Sequence, residues 1–193
     1  SEDKIYPCRC TRRDLMKANR THEERFIYPG TCRGLKLPWN LHQGRFPSLR
    51  LKVENKFSFA CGDVVLRRSD GFFAYHLATV VDELSLGITE VVRGQDLHKA
   101  KNCHLAVTEA LGQKPISYKH VPLFYNPNGS KLSKRDGASG LKPLRDIGMM
   151  APNVIGFLAS SLNLVPNGSE LSVEDLLCHL NKHINLIHRA FND

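Results

Sequence analysis

The sequence predicts an α/β fold in which a small α+β subdomain precedes part of a parallel nucleotide-binding sheet and a helical region follows. Three observations favour this order. An apolar run, a helical pattern and a second apolar run succeed one another between residues 89 and 125, as in a βαβ unit. Three of the six cysteines lie before residue 33, and the apolar spacing after residue 147 is helical. We therefore divide the chain into three parts: residues 1–70, 71–147 and 148–193.

Length and composition predict one ordinary folded core and a polyanionic partner. The chain has 193 residues, of which 41% are hydrophobic, enough for a core with a small satellite. No apolar run approaches the roughly 20 residues of a membrane span, and the first residues have no signal-peptide character. The net charge of +8 is spread along the chain and favours a nucleic acid over a membrane as partner. Six scattered cysteines without a secretion signal predict a reducing, cytoplasmic setting.

The first part of the chain carries signals for short elements. Thr11 to Asp14 is a capping box that begins a short helix running toward Asn19. The segment from Leu35 to Phe46 lacks periodicity, and we expect a loop there. Alternating apolar residues or a neighbouring Asp-Gly turn signal predict the following strands: residues 49–53, 57–59, 63–68 and 72–75.

Three cysteines in this part have the spacing of a metal site. Cys8 and Cys10 precede the predicted helix, and the chain returns to Cys32 through a turn at residues 28–30. Three thiolates with one further donor suit a closed, tetrahedral structural zinc site. Because imidazole is a far commoner zinc ligand than phenol, chemistry alone favours His22 as the fourth ligand. The alternative is that these cysteines are unpaired thiols in a loop.

The second part predicts half of a Rossmann-type nucleotide-binding domain. Apolar residues at helical spacing predict a core-facing helix from Tyr75 to Leu84. A buried strand over residues 89–92, a helix beginning at Asp96 and a strand from Val121 to Tyr125 then form the βαβ unit. In such a sheet the ligand lies outside the carboxyl ends of the strands.

Two side chains near these strand ends are candidate ligands for a small carboxylate. Arg93 ends the first strand of the unit, and a guanidinium can hold a carboxylate through two parallel hydrogen bonds. Tyr75 can present its hydroxyl to the same pocket from the first turn of its helix. The alternatives are an ion pair between Arg93 and a neighbouring acid such as Asp96, and a core ring at Tyr75 with its hydroxyl at the surface.

A basic turn follows the second strand and is the candidate phosphate site. Residues 126–137 are rich in glycine, asparagine and serine and carry Lys131 and Lys134. Lysine is a compact point charge on a long stem, so two lysines on a mobile loop can follow the charge that develops on a triphosphate as pyrophosphate leaves. The alternative is a solvated basic hairpin.

The last part of the chain predicts helices. Helical patterns cover residues 153–162 and 173–181, and a turn at Pro166 to Ser169 separates them. The second pattern begins behind the capping box of Ser172 to Asp175.

Several of these motifs together resemble one enzyme family. Residues 131–135, Lys-Leu-Ser-Lys-Arg, resemble the nucleotide-binding signature of class I aminoacyl-tRNA synthetases in the form common in glutamyl enzymes. Residues 71–83 and 87–97 also resemble that family, in the same order and at similar spacing. The pattern Cys-x-Cys followed by Tyr-x-x-x-Cys resembles the zinc site of the glutamyl-queuosine tRNA(Asp) synthetases, truncated paralogues of the glutamyl-tRNA synthetases. In that site a tyrosine oxygen completes the tetrahedron.

The resemblance implies a partial class I synthetase catalytic domain with an inserted zinc subdomain. It implies ATP with Mg²⁺, glutamate and tRNA as partners, with tRNA(Asp) as the acceptor, and we expect a monomer. The reaction is attack of the glutamate carboxylate on ATP to give glutamyl-adenylate, followed by transfer to queuosine. The implied site residues are, for zinc, Cys8, Cys10, Tyr28 and Cys32; for glutamate, Tyr75 and Arg93; for ATP, Lys134; and for catalysis, Lys131 and Lys134.

One family motif is missing from the sequence. Class I synthetases use a His-x-Gly-His type motif to stabilise the α-phosphate, and no such motif occurs in these residues. We therefore expect the chain to be a fragment of a longer enzyme and to be inactive alone. Two alternatives stay open: a truncated glutamyl-tRNA synthetase that charges tRNA(Glu), and a zinc-stabilised tRNA-binding module without catalysis.

Overall fold

The structure is a computed structural model that describes residues 4–18, 27–42, 44–54, 56–125, 128–132 and 140–182. The chain forms two compact units. The first consists of Ser1–Val91 with Leu97–Tyr118, and the second of Val92–Asp96 with Lys119–Asp193. Helices and strands are mixed along the described residues, which confirms the α/β class. The three-part division drawn from the sequence stays a prediction.

A three-stranded antiparallel sheet organises the start of the first unit. Its strands are β1 (Ile5–Cys8), β2 (Ser48–Leu51) and β3 (Val64–Arg67), in the order β1-β2-β3. Strand β1 has no counterpart among the predicted strands, because the Ile-Tyr-Pro-Cys run is short and contains a proline. Proline is tolerated here because β1 pairs on one side, with β2.

The predicted capping box begins helix α1 (Arg12–Ala18). The Thr11 backbone N–H donates to the Asp14 carboxylate at 2.8 Å, and the Asp14 N–H donates to the Thr11 hydroxyl oxygen at 3.3 Å. Each residue thus satisfies a backbone donor of the other, as a capping box requires. The predicted short helix is confirmed.

The strand predicted at residues 57–59 is wrong, because this segment is one helical turn. Helix α2 (Ser58–Cys61) is closed by the Cys61 N–H, which donates to the Phe57 oxygen at 3.0 Å. Phe57 packs against the core while Phe59 is 88% exposed. Two phenylalanines separated by one residue fit a strand pattern, but three residues are too few to establish a period.

Helices α3 (Tyr75–Ser85) and α4 (Ala100–Ala110) build the main core of the first unit. Val80 and Val107 are essentially buried and pack with residues of β2 and β3. The predicted helix at Tyr75 is confirmed. The helix predicted to begin at Asp96 starts later, because Gln95–Leu97 forms a separate 3₁₀ turn before α4.

Strands β4 (Glu90–Gly94) and β5 (Ser117–Val121) pair in parallel, and α4 lies between them in the sequence, which confirms the βαβ order. The predicted strand Val121 to Tyr125 is misplaced. The observed strand alternates exposed and buried residues and buries Tyr118 and His120, which are polar enough to escape an apolar pattern. Pro122 lacks the N–H that a continuing ladder needs. The strand predicted as buried at residues 89–92 is only partly so, with Val92 60% exposed.

The second unit carries three helices among its described residues. They are α5 (Leu141–Asp146), α6 (Ala151–Ser161) and α7 (Val173–Lys182). The last two confirm the predicted C-terminal helices, and the Asp175 N–H donates to the Ser172 hydroxyl at 3.0 Å in the predicted capping box. None of the helices in the described ranges combines the length and apolar character that a bilayer span requires.

Candidate functional site

The cysteine cluster lies where β1 meets the turn that follows α1. Cys8 ends β1, Cys10 follows two residues later, and Cys32 lies in a turn opened by Gly30 at φ +79°. The three sulfur atoms lie within 4.8 Å of one another. Tetrahedral zinc with Zn–S bonds near 2.3 Å would hold its sulfurs about 3.8 Å apart. The cluster is therefore close to the geometry that such an ion needs.

The hydroxyl of Tyr28 lies beside the sulfur atoms of the cluster. Its hydroxyl oxygen lies 3.4 Å from the Cys8 sulfur and 3.8 Å from the Cys10 sulfur. The Cys32 backbone N–H donates to the same oxygen at 2.7 Å. Three sulfurs and one oxygen thus lie close together and could hold a tetrahedral zinc ion. His22, which chemistry alone favoured, lies outside the described residues.

A glycine allows the Tyr28 backbone to lie close to the turn between α2 and β3. Gly62 has φ +60°, and a Cβ atom there would lie 3.0 Å from the Tyr28 nitrogen and 3.1 Å from its oxygen. Any larger residue would be strained by the positive φ and would press on the Tyr28 backbone. Tyr28 is also buried with Tyr6, Cys8 and Cys32 in a small core of their own.

The protonation of the cluster differs from one thiol to the next. Burial and a hydrogen bond with Cys32 raise the pKa of Cys10 to about 12. Burial also opposes ionisation of Cys32, but hydrogen bonds from the Arg9 backbone amide and from Tyr28 outweigh it and lower the pKa of that thiol. A cation that binds here must displace the remaining protons, so binding is coupled to proton release.

Arg93 lies on β4 in the second unit. Its Nε donates to Nε2 of His120 at 3.3 Å, and His120 is 3% exposed on β5. The neighbouring carboxylate of Asp96, offered above as an ion-pair partner for Arg93, accepts a hydrogen bond from Lys131. Arg93 is thus held on one edge of its guanidinium by a buried imidazole.

Lys131 lies opposite Tyr125 in an isolated bridge of the basic turn. Its Nζ is 2.5 Å from Oδ2 of Asp96, and this hydrogen bond lowers the pKa of the Asp96 carboxyl. The two side chains are 46% and 39% exposed, so the pair contributes at most about 1 kcal/mol. Lys134 lies outside the described residues.

Tyr75 begins α3 in the first unit and is 51% exposed. Its ring centroid lies 5.4 Å from that of His104, which is fully buried on α4 and also contacts the ring of Tyr118. Tyr118 donates to the Glu83 carboxylate at 2.6 Å. Sequence reasoning missed this support for Tyr75. The only available signal was a histidine among the apolar positions of a predicted helix.

The comparisons with known proteins agree with these motifs. A family model described as "tRNA synthetases class I (E and Q), catalytic domain" matches residues 35–160, more than half of the chain. The chain belongs to this family. Within the class I synthetase family it is 52% identical over 181 residues to a protein of Prochlorococcus marinus (strain MIT 9313) named "Glutamyl-Q tRNA(Asp) synthetase". A protein of the same name from Parasynechococcus marenigrum is 49% identical over 173 residues.

The alignments cover most of this chain but a smaller share of each relative. The two alignments cover 94% and 90% of this chain but 59% and 57% of those relatives. The crystal structure of glutamate-tRNA synthetase from Elizabethkingia anophelis superposes with a TM-score of 0.61 at 21% identity, over 95% of this chain and 51% of that one. At this identity the structural match supports the class I synthetase fold alone.

Proposed function

We propose that the chain is part of an enzyme that activates glutamate with ATP and transfers it to queuosine in the anticodon of tRNA(Asp). The observation that carries the proposal is the 52% identity over 94% of the chain to a protein named "Glutamyl-Q tRNA(Asp) synthetase". The chain spans 59% of that relative, so the activity belongs to the full-length protein. The net charge of +8 suits a tRNA partner.

In this proposal Tyr75 and Arg93 bind glutamate. Arg93 would hold a substrate carboxylate through two parallel hydrogen bonds, with its Nε edge fixed by His120. Tyr75 keeps its ring packed on His104 while about half of the side chain stays accessible to a ligand. Tyr75 thus combines a supported side chain with exposed surface, and Arg93 is supported and partly exposed, as a preorganised binding residue requires.

Lys134 and Lys131 would act on the ATP phosphates. The glutamate carboxylate attacks the α-phosphorus, pyrophosphate leaves, and negative charge grows on the departing oxygens. Lysine ammonium groups stabilise that charge more in the transition state than in the ground state. The exposed pair between Lys131 and Asp96 is weak enough for Lys131 to exchange it for a phosphate. As in other synthetases of this class, the ATP would carry Mg²⁺.

We also propose that Cys8, Cys10, Cys32 and Tyr28 bind a structural zinc ion, which makes the start of the chain an inserted zinc subdomain. The close approach of three sulfurs and a phenol oxygen supports this. The Cys32 N–H already points at the Tyr28 oxygen and the Arg9 N–H at the Cys32 sulfur, so backbone donors support two of the ligands. A small core of four residues gains most of its stability from such ligation.

Pyrophosphate exchange by the full-length enzyme tests the activation step. Lys134→Ala should lower the exchange rate by orders of magnitude with a smaller change in ATP binding. Lys134→Arg should restore only part of it, because a planar fork does not replace a point charge. Lys142→Ala is the matched control, since Lys142 is exposed on α5 and pairs with Asp146. Near-normal exchange in Lys134→Ala would overturn the assignment of the loop.

A second candidate function is charging of tRNA(Glu) by a truncated glutamyl-tRNA synthetase. The wording of residues 131–137, close to that of ordinary glutamyl-tRNA synthetases, is the observation in its favour. Both candidates predict pyrophosphate exchange, so the accepting tRNA separates them. A non-catalytic tRNA-binding module would show no exchange even in the full-length wild-type protein.

A further inference from the structure

A buried arginine lies against the tyrosine of the cysteine cluster. Arg50 is on β2, is 6% exposed, and places its guanidinium carbon 3.7 Å from the centroid of the Tyr28 ring. Burying a full positive charge is unfavourable unless hydrogen bonds or a negative charge compensate it. The burial of Arg50 therefore requires compensating hydrogen bonds or a negative charge nearby.

The hydrogen bonds around Arg50 leave its charge directed at Tyr28. Its NH1 group donates to the backbone oxygen of Asp63 at 2.7 Å. The Asp63 carboxylate accepts instead from the Tyr6 hydroxyl at 2.6 Å and the Val53 N–H at 2.9 Å. Nε of Arg50 is buried and has no hydrogen-bond partner within the described part of the chain. The guanidinium therefore combines one hydrogen bond to the Asp63 backbone with a contact to the aromatic face of Tyr28.

A bound metal ion would place a negatively charged centre next to Arg50. Three thiolates and a phenolate carry four negative charges, and zinc carries two positive charges, so the filled centre keeps a net charge of about −2. Cys8, Cys32 and Tyr28 are buried, where an uncompensated negative charge is unfavourable. Arg50 is the buried cation stacked on the ring of the oxygen ligand. A guanidinium in this position attracts a ring with negative charge more strongly than a neutral ring.

We propose that Arg50 is a positioning residue for the metal centre: it fixes the Tyr28 ring over the cysteines and supplies the counter-charge that an S₃O centre requires. The inference rests on the zinc site proposed above. Arg50 therefore acts on the metal-bound cysteine cluster and binds no separate ligand. The planar guanidinium suits the task, because it stacks on a ring and still donates to the Asp63 oxygen.

Zinc affinity of the full-length protein, measured by competition with a chromophoric chelator, tests the proposal. Arg50→Met should weaken zinc binding by about 10- to 100-fold, the usual effect of losing a group that supports a metal ligand. Arg50→Lys should lose less, because it keeps the charge but not the planar stack. Arg67→Met is the matched control: Arg67 lies on β3 with its guanidinium carbon 5.8 Å from the Phe46 ring. It should bind zinc like the wild type.

A double-mutant cycle with Tyr28→Phe separates this role from a general effect on folding. If Arg50 acts through the phenol oxygen, Arg50→Met should change zinc affinity less than about twofold in the Tyr28→Phe background. An equal loss in both backgrounds, or unchanged affinity in Arg50→Met, would overturn the proposal. If Arg50→Met does not fold, the same cycle with Arg50→Lys decides. A wild-type protein that binds no zinc would overturn the metal site itself, and this inference with it.

Discussion

Replacing Asp63 tests how the first unit holds the cysteine cluster on its sheet. Asp63 is 5% exposed and lies just before β3. Its carboxylate accepts hydrogen bonds from the Tyr6 hydroxyl at 2.6 Å and the Val53 N–H at 2.9 Å. Tyr6 and Val53 are themselves buried, so water cannot easily replace the lost acceptor. We predict that Asp63→Ala strongly lowers the free energy of unfolding.

The size of the effect follows from the two donors that lose their acceptor. Each buried donor left unsatisfied costs about 1–3 kcal/mol, so the pair amounts to about 2–6 kcal/mol. That is a large part of the roughly 5–15 kcal/mol that stabilises an ordinary domain. Asp63→Asn keeps one oxygen and should lose roughly half as much or less. Adding Tyr6→Phe to Asp63→Ala removes one of the stranded donors and should recover part of the loss.

Urea unfolding, followed by circular dichroism and by the fluorescence of Trp39, measures these differences. Asp82→Ala is the control, because Asp82 is exposed on α3 and its loss should change the unfolding free energy by less than about 0.5 kcal/mol. A loss below about 1 kcal/mol in Asp63→Ala would refute the reasoning, since it would mean that both donors find other partners. Failure of Tyr6→Phe to recover any stability would refute the role given to that hydroxyl.

Three further predictions concern the second unit. Lys131→Met should raise the pKa of Asp96 toward its ordinary value in an NMR titration. In the wild type the lowered pKa stabilises the fold above the pKa of the unfolded state, and this stabilisation is lost as the pH falls through the folded pKa; the variant should lack it. An unchanged Asp96 pKa in the variant would contradict the ion pair with Lys131. In the full-length enzyme, Arg93→Ala should raise the Michaelis constant for glutamate by the equivalent of about 2–5 kcal/mol. An equal loss of ATP affinity with unchanged glutamate dependence would show that Arg93 does not bind glutamate. Gly156→Ala should destabilise by about 1–3 kcal/mol in thermal melts, because its Cβ would lie 1.6 Å from the Ser169 oxygen; a gain in stability would contradict that contact.

The sequence was most informative where a signal is local and repeated. Helices α3, α6 and α7 were predicted because apolar residues recur over about three turns, and α7 also carries its capping box. Strand β5 was misplaced because its buried residues are Tyr118 and His120, while the more apolar run after it begins at Pro122. Tyr118 packs against His104 of α4, a tertiary contact that a pattern of hydrophobicity does not contain.

In the candidate site, too, local sequence signals were informative and long-range contacts were not. Cys8, Cys10 and Cys32 could be grouped from their spacing and the intervening turn, and the structure brings them together. Tyr28 entered through the family resemblance, because residue chemistry alone favoured a histidine. The partners of Asp63 and Lys131 could not be predicted. Tyr6 is 57 residues from Asp63 and Asp96 is 35 residues from Lys131, so tertiary folding alone makes those contacts.

Transfer of labelled glutamate by the full-length enzyme tests the central claim most directly. The substrates are tRNA(Asp) that contains queuosine, the same tRNA without queuosine, and tRNA(Glu). We predict that label enters only the queuosine-containing tRNA(Asp) and stays in the anticodon fragment after nuclease cleavage. Label at the 3′ end of tRNA(Glu) would contradict the claim and establish ordinary glutamyl-tRNA synthesis instead.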